Sequence, residues 1–332
     1  MKKLFIALTL CLFVIGLAGC SSESAEPTPA PVPTATPTTK PSPIPTATPT
    51  SVPTATPTPI VVVDALGQKI SFDDSPNKIA AISPTATEML YAAGGTSILR
   101  DRASNFPISV QGVPSVGSAY NPSIEKIVQN KPDLILIEAL TQARFVPMLS
   151  QSGLKVMAIK AETVDDIKNH IISLGKILGK ETVASKAVSD IESKLKNAGE
   201  NDGRSILLLI MDEDRNLYGA RPESYTGLIA STLGLQNMAA GLPDSGPYPG
   251  FAMMSPESIL KANPDIIVTI TPAPEPAPRL STTITRIPPF AGLKAIRNGS
   301  VIEANVDLFL QAPGPRIADA VEFLKKSLPT KP

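Results

Sequence analysis

The sequence predicts an α/β protein built from two similar lobes and a helical connector. Apolar, β-branched runs alternate with amphipathic helical segments, which is typical of a mostly parallel sheet covered on both faces. A helix that leads into a buried strand occurs twice, at 121–137 and at 255–268. The longest helical pattern, 163–199, lies between the two copies and is the predicted connector.

The two copies of this repeated unit share the same chemistry in the same order. Each is predicted to begin with a helix N-cap, Asn121 or Ser255, followed by a proline whose missing N–H costs nothing at the first helical position. Glu125 and Glu257 follow within the first turn, where the helix dipole favours negative charge. A Pro-Asp pair then ends each helix and leads into an apolar strand.

The first lobe is predicted to span 60–162. Alternating apolar and polar residues around Leu66-Gly67 indicate a hairpin, and glycines after two helical patterns indicate helix ends. The expected elements are a hairpin at 60–72, a strand at 78–83, a helix at 84–93, an extended stretch at 113–116, the repeated helix at 121–130 with its strand at 133–137, a helix at 141–152 and a strand at 155–159.

The connector and the second lobe are predicted at 163–200 and 201–332. Apolar residues recur at a helical period through the connector, and Gly179 allows one break. The second lobe is expected to contain a strand at 205–211, a helix at 224–233, a loop at 241–250, the second repeated helix with its strand at 265–270, a proline-rich loop at 272–278, a strand at 301–304 and a closing helix at 317–328.

The amino terminus has the organisation of an export signal. Residues 1–3 supply positive charge, and 4–16 form an apolar stretch that is shorter than a typical transmembrane helix. Leu17-Ala18-Gly19-Cys20 resembles the processing box of bacterial lipoproteins. The resemblance implies that 1–19 is a signal peptide and that the Cys20 thiol carries lipid. The alternative is an ordinary secretory signal followed by an incidental cysteine.

A tether is predicted between that lipid and the folded lobes, at 20–59. The segment is rich in proline and threonine, and Pro-Thr-Ala-Thr-Pro-Thr occurs at 33–38, 45–50 and 53–58. Such a composition cannot bury a core and favours an extended, polyproline-like chain. At about 3.1 Å per residue the tether would reach on the order of 100 Å from the membrane. The alternative is a binding site for a partner that recognises proline motifs.

Composition predicts a binding protein rather than an enzyme. The 30 basic and 30 acidic side chains balance, and the absence of a basic run argues against a nucleic acid partner. The sequence contains no phosphate loop, dinucleotide fingerprint or nucleophile elbow. His170 is the single histidine, and Cys11 would leave with the signal, so no zinc or copper site is predicted. Asp212-Glu213-Asp214 is expected to be a solvated loop rather than a calcium site.

Five motifs occur along 60–328 in this order: Ser83-Pro84-Thr85-Ala86-Thr87-Glu88, the Asn-Pro-Ser-Ile-Glu unit with its Lys-Pro-Asp, Ala220-Arg221-Pro222-Glu223-Ser224, the Ser-Pro-Glu unit with its Asn-Pro-Asp, and Pro313-Gly314-Pro315-Arg316. Together with the processing box they resemble the substrate-binding lipoproteins of iron-chelate and cobalamin ABC importers. The resemblance implies two Rossmann-like lobes joined by a single long helix (class III periplasmic binding protein-like). It also implies a ligand held between the lobes, an extracytoplasmic location, and an ABC permease dimer with its ATPase subunits as partners.

The resemblance gives Glu125 and Glu257 a role. In the family, one surface glutamate on each lobe docks onto arginines of the permease, and these two residues occupy the matching positions. The alternative is that both serve only as favourable charge at a helix N-terminus, worth about 0.3–1 kcal/mol each.

The ligand is expected at the loops that follow the carboxyl ends of the strands, as in other open α/β sheets. Aromatic side chains with few charges suit a large, flat, partly apolar ligand. For each ring, packing in the core is the alternative. The predicted contact residues are Pro84, Thr85, Phe106, Tyr120, Tyr218, Arg221, Tyr248, Phe251, Met253, Asp307 and Phe309.

Cobalamin or a related corrinoid is the predicted ligand, although this chain lacks the tryptophans with which relatives pack the corrin. Haem is the second possibility, with Tyr120 or Tyr248 as iron ligand. Ferric siderophores are the third possibility. Anionic chelates require clustered arginines, and Arg221 and Arg316 are few for that purpose. Arg316 is expected rather to cap or pack against the last helix. A surface enzyme or an adhesin is the alternative from another class.

Overall fold

The structure is a computed structural model that describes residues 59–198 and 202–330. They belong to one compact unit, Thr56–Pro332. The predicted signal peptide, the lipid-bearing Cys20 and all but the end of the predicted tether lie outside the described residues. Within the described ranges, no helix combines the length and the apolar character needed to cross a bilayer.

The first lobe is built on a parallel sheet with the strand order β4–β3–β7–β8. Its strands are short and fully apolar at their centres because helices cover both faces. Its elements are β1 (Ile60–Val63), β2 (Lys69–Phe72), β3 (Ile79–Ala81), α1 (Pro84–Ala92), β4 (Leu99–Arg100), a 3₁₀ helix (Ile108–Gly112), β5 (Gly117–Ser118), β6 (Asn121–Pro122), α2 (Ile124–Asn130), β7 (Leu134–Glu138), α3 (Ala139–Gln142), α4 (Val146–Gln151) and β8 (Val156–Ile159).

The second lobe is built on a mixed sheet with the order β12–β10–β9–β13–β14 and with β11 beside β9. The β9, β13 and β14 strands are parallel, whereas β10 and β12 are antiparallel to their neighbours. Its elements are β9 (Ser205–Met211), β10 (Leu217–Ala220), α7 (Tyr225–Thr232), β11 (Gln236–Asn237), β12 (Phe251–Met254), α8 (Pro256–Ala262), β13 (Ile266–Ile270), α9 (Leu280–Ile284), a 3₁₀ helix (Pro288–Gly292), α10 (Lys294–Arg297), β14 (Val301–Ala304), a π-helical turn (Asp307–Gln311) and α11 (Ile317–Ser327).

The predicted connector is two helices, α5 (Val164–Leu178) and α6 (Glu181–Ala198), not one. Gly179, at φ +62°, ends α5 in the left-handed conformation that a side chain disfavours. A Cβ on Gly175 would lie 2.3 Å from the Cβ of Ala184. The absence of a side chain at Gly175 therefore lets α5 and α6 approach closely. The α5 helix packs against α1 and β1 of the first lobe, and α6 packs against α11 of the second lobe.

Alternate residues of the central strands face separate hydrophobic cores. Ile206, Leu208 and Ile210 of β9 contact the large core that also contains the apolar faces of α5, α6 and α11. Leu207 and Leu209 face a second core, on the opposite side of the same sheet. Because side chains alternate between the two faces of a strand and both faces of this sheet are covered, β9 is apolar along its whole length.

The first repeated helix begins later than predicted. Asn121 is not its N-cap, because Asn121 and Pro122 pair with Gly117–Ser118 as a short antiparallel ladder. Ser123 caps α2 instead, with its hydroxyl accepting the Lys126 N–H at 3.2 Å. In the second copy Ser255 is the N-cap of α8, as predicted.

The aspartates of the two Pro-Asp pairs have the same structural task in both lobes. Asp133 accepts the backbone N–H groups of Asn77 and Lys78, at 2.9 and 2.8 Å, at the start of β3. Asp265 accepts the hydroxyl of Ser205 at 2.6 Å and its backbone N–H at 3.0 Å, at the start of β9. These hydrogen bonds lower the pKa of both carboxyl groups. Each aspartate therefore ties its own strand to the neighbouring one.

Candidate functional site

A cavity of about 260 Å³ lies between the two lobes. Its walls come from the start of α1, from the loop after β4, and from the segment after β14, each of which follows the carboxyl end of a parallel strand. Of the predicted contact residues, Pro84, Phe106 and Asp307 line it. The lining residues are Pro84, Glu88, Ala103, Asn105, Phe106, Gln111, Asp307, Gln311, Ala312 and Arg316.

The first lobe contributes the N-terminal turns of α1 to the cavity. Ser83 caps the helix by accepting the Ala86 N–H at 3.1 Å, and Pro84 occupies the first turn. Pro84 and Glu88 are four residues apart and thus lie on the same face of the helix, one turn from each other. Both consequently line the cavity.

An ion pair between Glu88 and Arg316 joins the two lobes at the cavity. The Arg316 Nε donates to Oε2 of Glu88 at 2.8 Å, and a terminal guanidinium nitrogen donates to Oε1 at 2.5 Å. The guanidinium also lies over the Phe106 ring, 4.5 Å from its centroid. Arg316 is the N-cap residue of α11, as one of the two predicted roles requires, but its side chain makes no hydrogen bond to that helix. Its partner is a carboxylate of the opposite lobe.

Burial raises the pKa of Glu88 to about 7, although the hydrogen bonds and charge of Arg316 oppose the shift. The negative charges of Asp307 and Asp319 add to the increase. The Glu88 side chain is only 3% exposed, against 17% for Arg316, so the carboxylate has lost almost all of its hydration.

This pKa predicts a pH dependence of stability. Between pH 4.5 and about 7 the folded protein keeps a proton on Glu88 that the unfolded chain releases, so the group stabilises the fold at low pH. The free energy of unfolding should therefore lose about 3 kcal/mol from this group as the pH rises through that window. Urea denaturation of the wild type and E88Q at several pH values measures the difference. A difference that stays constant with pH would contradict the assignment.

Phe106 is held in place by the buried loop that precedes it. The Arg100 guanidinium donates to the carbonyl oxygens of Asp101 and Ser104, at 3.0 and 3.3 Å. The buried Asp101 carboxylate accepts the Ser104 hydroxyl, and Ser104 lies 2.9 Å from the Thr87 hydroxyl of α1. This network ties the loop to α1, and the half-exposed Phe106 ring follows directly after it.

Three of the predicted aromatic residues form one cluster in the second lobe. Tyr248 packs edge-on against Tyr218 and Phe251, with ring centroids 5.2 and 6.3 Å apart. Tyr218 and Phe251 are buried, because β10 lies between two strands and Gly246 covers the Tyr218 ring. Neither ring lines the cavity, and their contact with a ligand stays a prediction. They support Tyr248, and the Tyr218 hydroxyl donates to Asp212 at 2.9 Å.

Two further predicted contact residues lie in the core. Phe309 is fully buried against Phe323, with the ring centroids 5.8 Å apart, and its carbonyl oxygen accepts the Thr226 hydroxyl. Thr85 is 2% exposed because the first turn of α1 directs it inward. Phe309 thus packs in the core, the alternative given for each ring, and neither residue lines the cavity, so their contact with a ligand stays a prediction.

The remaining predicted contact residues lie away from the cavity wall. Tyr120 and Met253 are 67% and 52% exposed. Arg221 pairs with Glu223 at 3.2 Å and with Asp244 at 3.6 Å, so its charge is already compensated.

The sequence-based prediction missed most of the polar wall of the cavity. Glu88 is the last residue of the first family motif, and Arg316 is the last residue of the fifth. Their opposite charges are the sequence signal that could have identified them as a pair. Asn105, Gln111 and Gln311 carry no such signal, since isolated amides in loops are common surface residues. Across the ranges that the structure covers, no group of His, Cys, Asp and Glu side chains is arranged to hold a metal ion.

Glu125 and Glu257 are exposed in the first turns of α2 and α8. Gln129 donates to Glu125 at 2.9 Å. The pKa of Glu257 is lowered by hydrogen bonds from its own backbone N–H and from Ser255. Both carboxylates are therefore available to solvent, one on each lobe.

Comparison with known sequences places the chain in a family. Residues 79–308 match the profile of the periplasmic binding proteins, and the protein belongs to that family. Its α/β fold is of the class III type, like the vitamin B12-binding and siderophore-binding proteins of that group.

Individual relatives are distant but cover most of the chain. The uncharacterized ABC transporter substrate-binding lipoprotein YvrC of Bacillus subtilis is 25% identical over 81% of this chain and 85% of its own. The ferric-anguibactin-binding protein FatB of Vibrio anguillarum is 26% identical over 75% of this chain and 80% of its own. The crystal structure of the periplasmic vitamin B12-binding protein BtuF of Vibrio cholerae, 25% identical, superposes with a TM-score of 0.64 over 76% of this chain and 96% of its own.

Proposed function

We propose that the protein is an extracytoplasmic, lipid-anchored substrate-binding protein of an ABC importer, which captures a corrinoid such as cobalamin between its lobes. The observation that carries this proposal is the cavity lined by both lobes. Binding there would hold the lobes around the ligand, as a delivery protein requires. The named relatives support the transport role.

The polar wall of the cavity favours a corrinoid among the ligands of such proteins. Asn105, Gln111 and Gln311 supply neutral amide donors and acceptors, and Phe106 supplies an apolar face. A corrin ring is apolar at its centre and bears amides at its edge, so both kinds of surface are matched. The arginines that an anionic siderophore would need, Arg221 and Arg316, are both paired with carboxylates.

Haem is the second candidate ligand, because an exposed tyrosine is available. Tyr120 is 67% exposed on the first lobe and Tyr248 is partly exposed on the second. Burial raises the pKa of Tyr248, and the charges of Asp212, Glu213 and Tyr120 add to the shift. A tyrosine oxygen is a known axial ligand of haem iron.

Contacts with the importer are proposed at two places. Lipid on Cys20 would keep the protein at the outer face of the membrane, and the segment 20–59 would serve as its tether. Glu125 and Glu257 would dock onto the permease dimer, which works with its ATPase subunits. Their exposure, one on each lobe at equivalent positions of the repeated unit, supports this assignment.

Calorimetric and absorbance titrations with cyanocobalamin, haemin and a ferric tricatecholate test the ligand. We expect stoichiometric binding of cyanocobalamin, with the affinity reduced about tenfold or more in F106A because a ring that faces the ligand is lost. I108A is the matched control, since Ile108 is two residues away, 75% exposed, and outside the cavity wall. A Soret shift with haemin and no heat with cyanocobalamin would identify haem as the ligand instead.

A further inference from the structure

The cavity wall contains more negative than positive charge. Among its lining residues Glu88 and Asp307 are carboxylates, and Arg316 is the cation. A lone arginine at this position would attract an anionic ligand. Whether Arg316 is paired with a carboxylate therefore decides whether the cavity favours an anionic ligand.

Glu88 occupies one edge of the Arg316 guanidinium, an edge at which a ligand carboxylate could otherwise bind. Its Nε and one terminal nitrogen both donate to Glu88, in the bidentate arrangement that an arginine also offers to ligand carboxylates. One face of the guanidinium is covered by the Phe106 ring at 4.5 Å. An anion that used this edge would have to displace a carboxylate that is 3% exposed and belongs to the protein.

The opposite charges of Glu88 and Arg316 also largely cancel each other's electrostatic field inside the cavity. Opposite charges in direct contact act on a distant ligand charge with nearly equal and opposite effects. Asp307 then dominates, which makes the cavity unfavourable to ligand carboxylates or catecholates. A neutral amide pays no such penalty, because it can accept from or donate to the remaining groups.

We propose that Glu88 is a specificity-determining residue, which holds Arg316 and thereby excludes anionic chelates in favour of uncharged, amide-bearing ligands. The inference rests on the proposed ligand-capture function and names the class of ligand that the cavity accepts. It differs from a purely structural role of the ion pair, because it predicts a gain of binding when the pair is broken from one side.

E88Q tests the proposal, since it removes the charge of Glu88 and keeps the shape. Binding of haemin and of a ferric tricatecholate is measured by fluorescence quenching at pH 8, where wild-type Glu88, with its pKa of about 7, is mostly ionised. We expect the affinity of E88Q for the anions, relative to cyanocobalamin, to exceed the wild-type ratio about tenfold for each ligand charge near Arg316. E88A, which also removes the charge, should show the same direction of change.

Two controls separate the role of Arg316 from that of overall charge. E88Q/R316Q should lose the gain, because no cation remains for the anion. D202N removes one carboxylate from another arginine pair, Arg204–Asp202, outside the cavity wall, and should leave anion binding as in the wild type. A gain that persists in the double variant, or that appears equally in D202N, would overturn the proposal.

The outcomes also distinguish this inference from the proposed function. Failure of the folded wild type to bind cyanocobalamin would refute the corrinoid as ligand. The anion affinities of E88Q and the wild type would then be compared directly, without cyanocobalamin as the reference. Failure of both E88Q and E88A to gain anion affinity, with thermal unfolding showing that they are folded, would refute the role of Glu88 whatever the wild type binds.

Discussion

Replacement of Arg316 by alanine is expected to lower the free energy of unfolding by about 3 kcal/mol near neutral pH. The change leaves the Glu88 carboxyl group buried without the two hydrogen bonds that now compensate its lost hydration. It also removes the cation that lies over the Phe106 ring. Urea denaturation followed by circular dichroism measures the loss.

K194A is the control for this prediction. Lys194 and Asp319 form an ion pair at 2.8 Å between α6 and α11, but their side chains are 55% and 44% exposed. An exposed pair of this kind contributes about 0–1 kcal/mol, because solvent screens it. If R316A were no more destabilising than K194A, the Glu88–Arg316 pair would not compensate a buried charge, and the contact between the lobes would depend on apolar packing alone.

The sequence predicted the fold well because most of its elements are set by local patterns. Buried strands such as β7 and β13 are continuous apolar runs, and helix ends carry recognisable signals such as Ser83 and Gly179. The α2 boundary was missed for a tertiary reason. Asn121 is a good N-cap by type, but its backbone pairs with β5, and that pairing follows from the path of the loop.

The site was harder to predict because its decisive contact joins distant parts of the chain. Glu88 and Arg316 are 228 positions apart, and no local pattern shows that they meet. Ring-bearing loops were favoured as ligand contacts, yet Tyr218 and Phe309 are buried because the strand or turn that carries each one packs into the core. Residue type alone does not separate a ring that faces a ligand from one that supports a neighbour.

Charge reversal at both exposed glutamates, E125K/E257K, is expected to abolish uptake while leaving ligand affinity in solution unchanged. Neither side chain lines the cavity, so the ligand should not detect the change. Docking onto arginines of a permease would turn from attraction to repulsion on both lobes at once, which lowers the association rate and the affinity together. Radiolabelled cobalamin uptake in cells and calorimetry on the purified variant measure the two effects.

A second double variant controls for the change in net charge and for the loss of acidic residues at helix N-termini. Asp165 and Glu181 are exposed in the first turns of α5 and α6, so D165K/E181K makes the same chemical change outside the repeated unit. Both double variants should lose about 0.3–1 kcal/mol of stability per helix, because each places a cation at the positive end of a dipole. D165K also breaks the surface ion pair of Asp165 with Lys168, which adds at most about 1 kcal/mol to the loss in the control. Only E125K/E257K should block uptake. Equal uptake by the two variants would show that the glutamates serve their helices alone, and a loss of ligand affinity in E125K/E257K would place the binding site elsewhere.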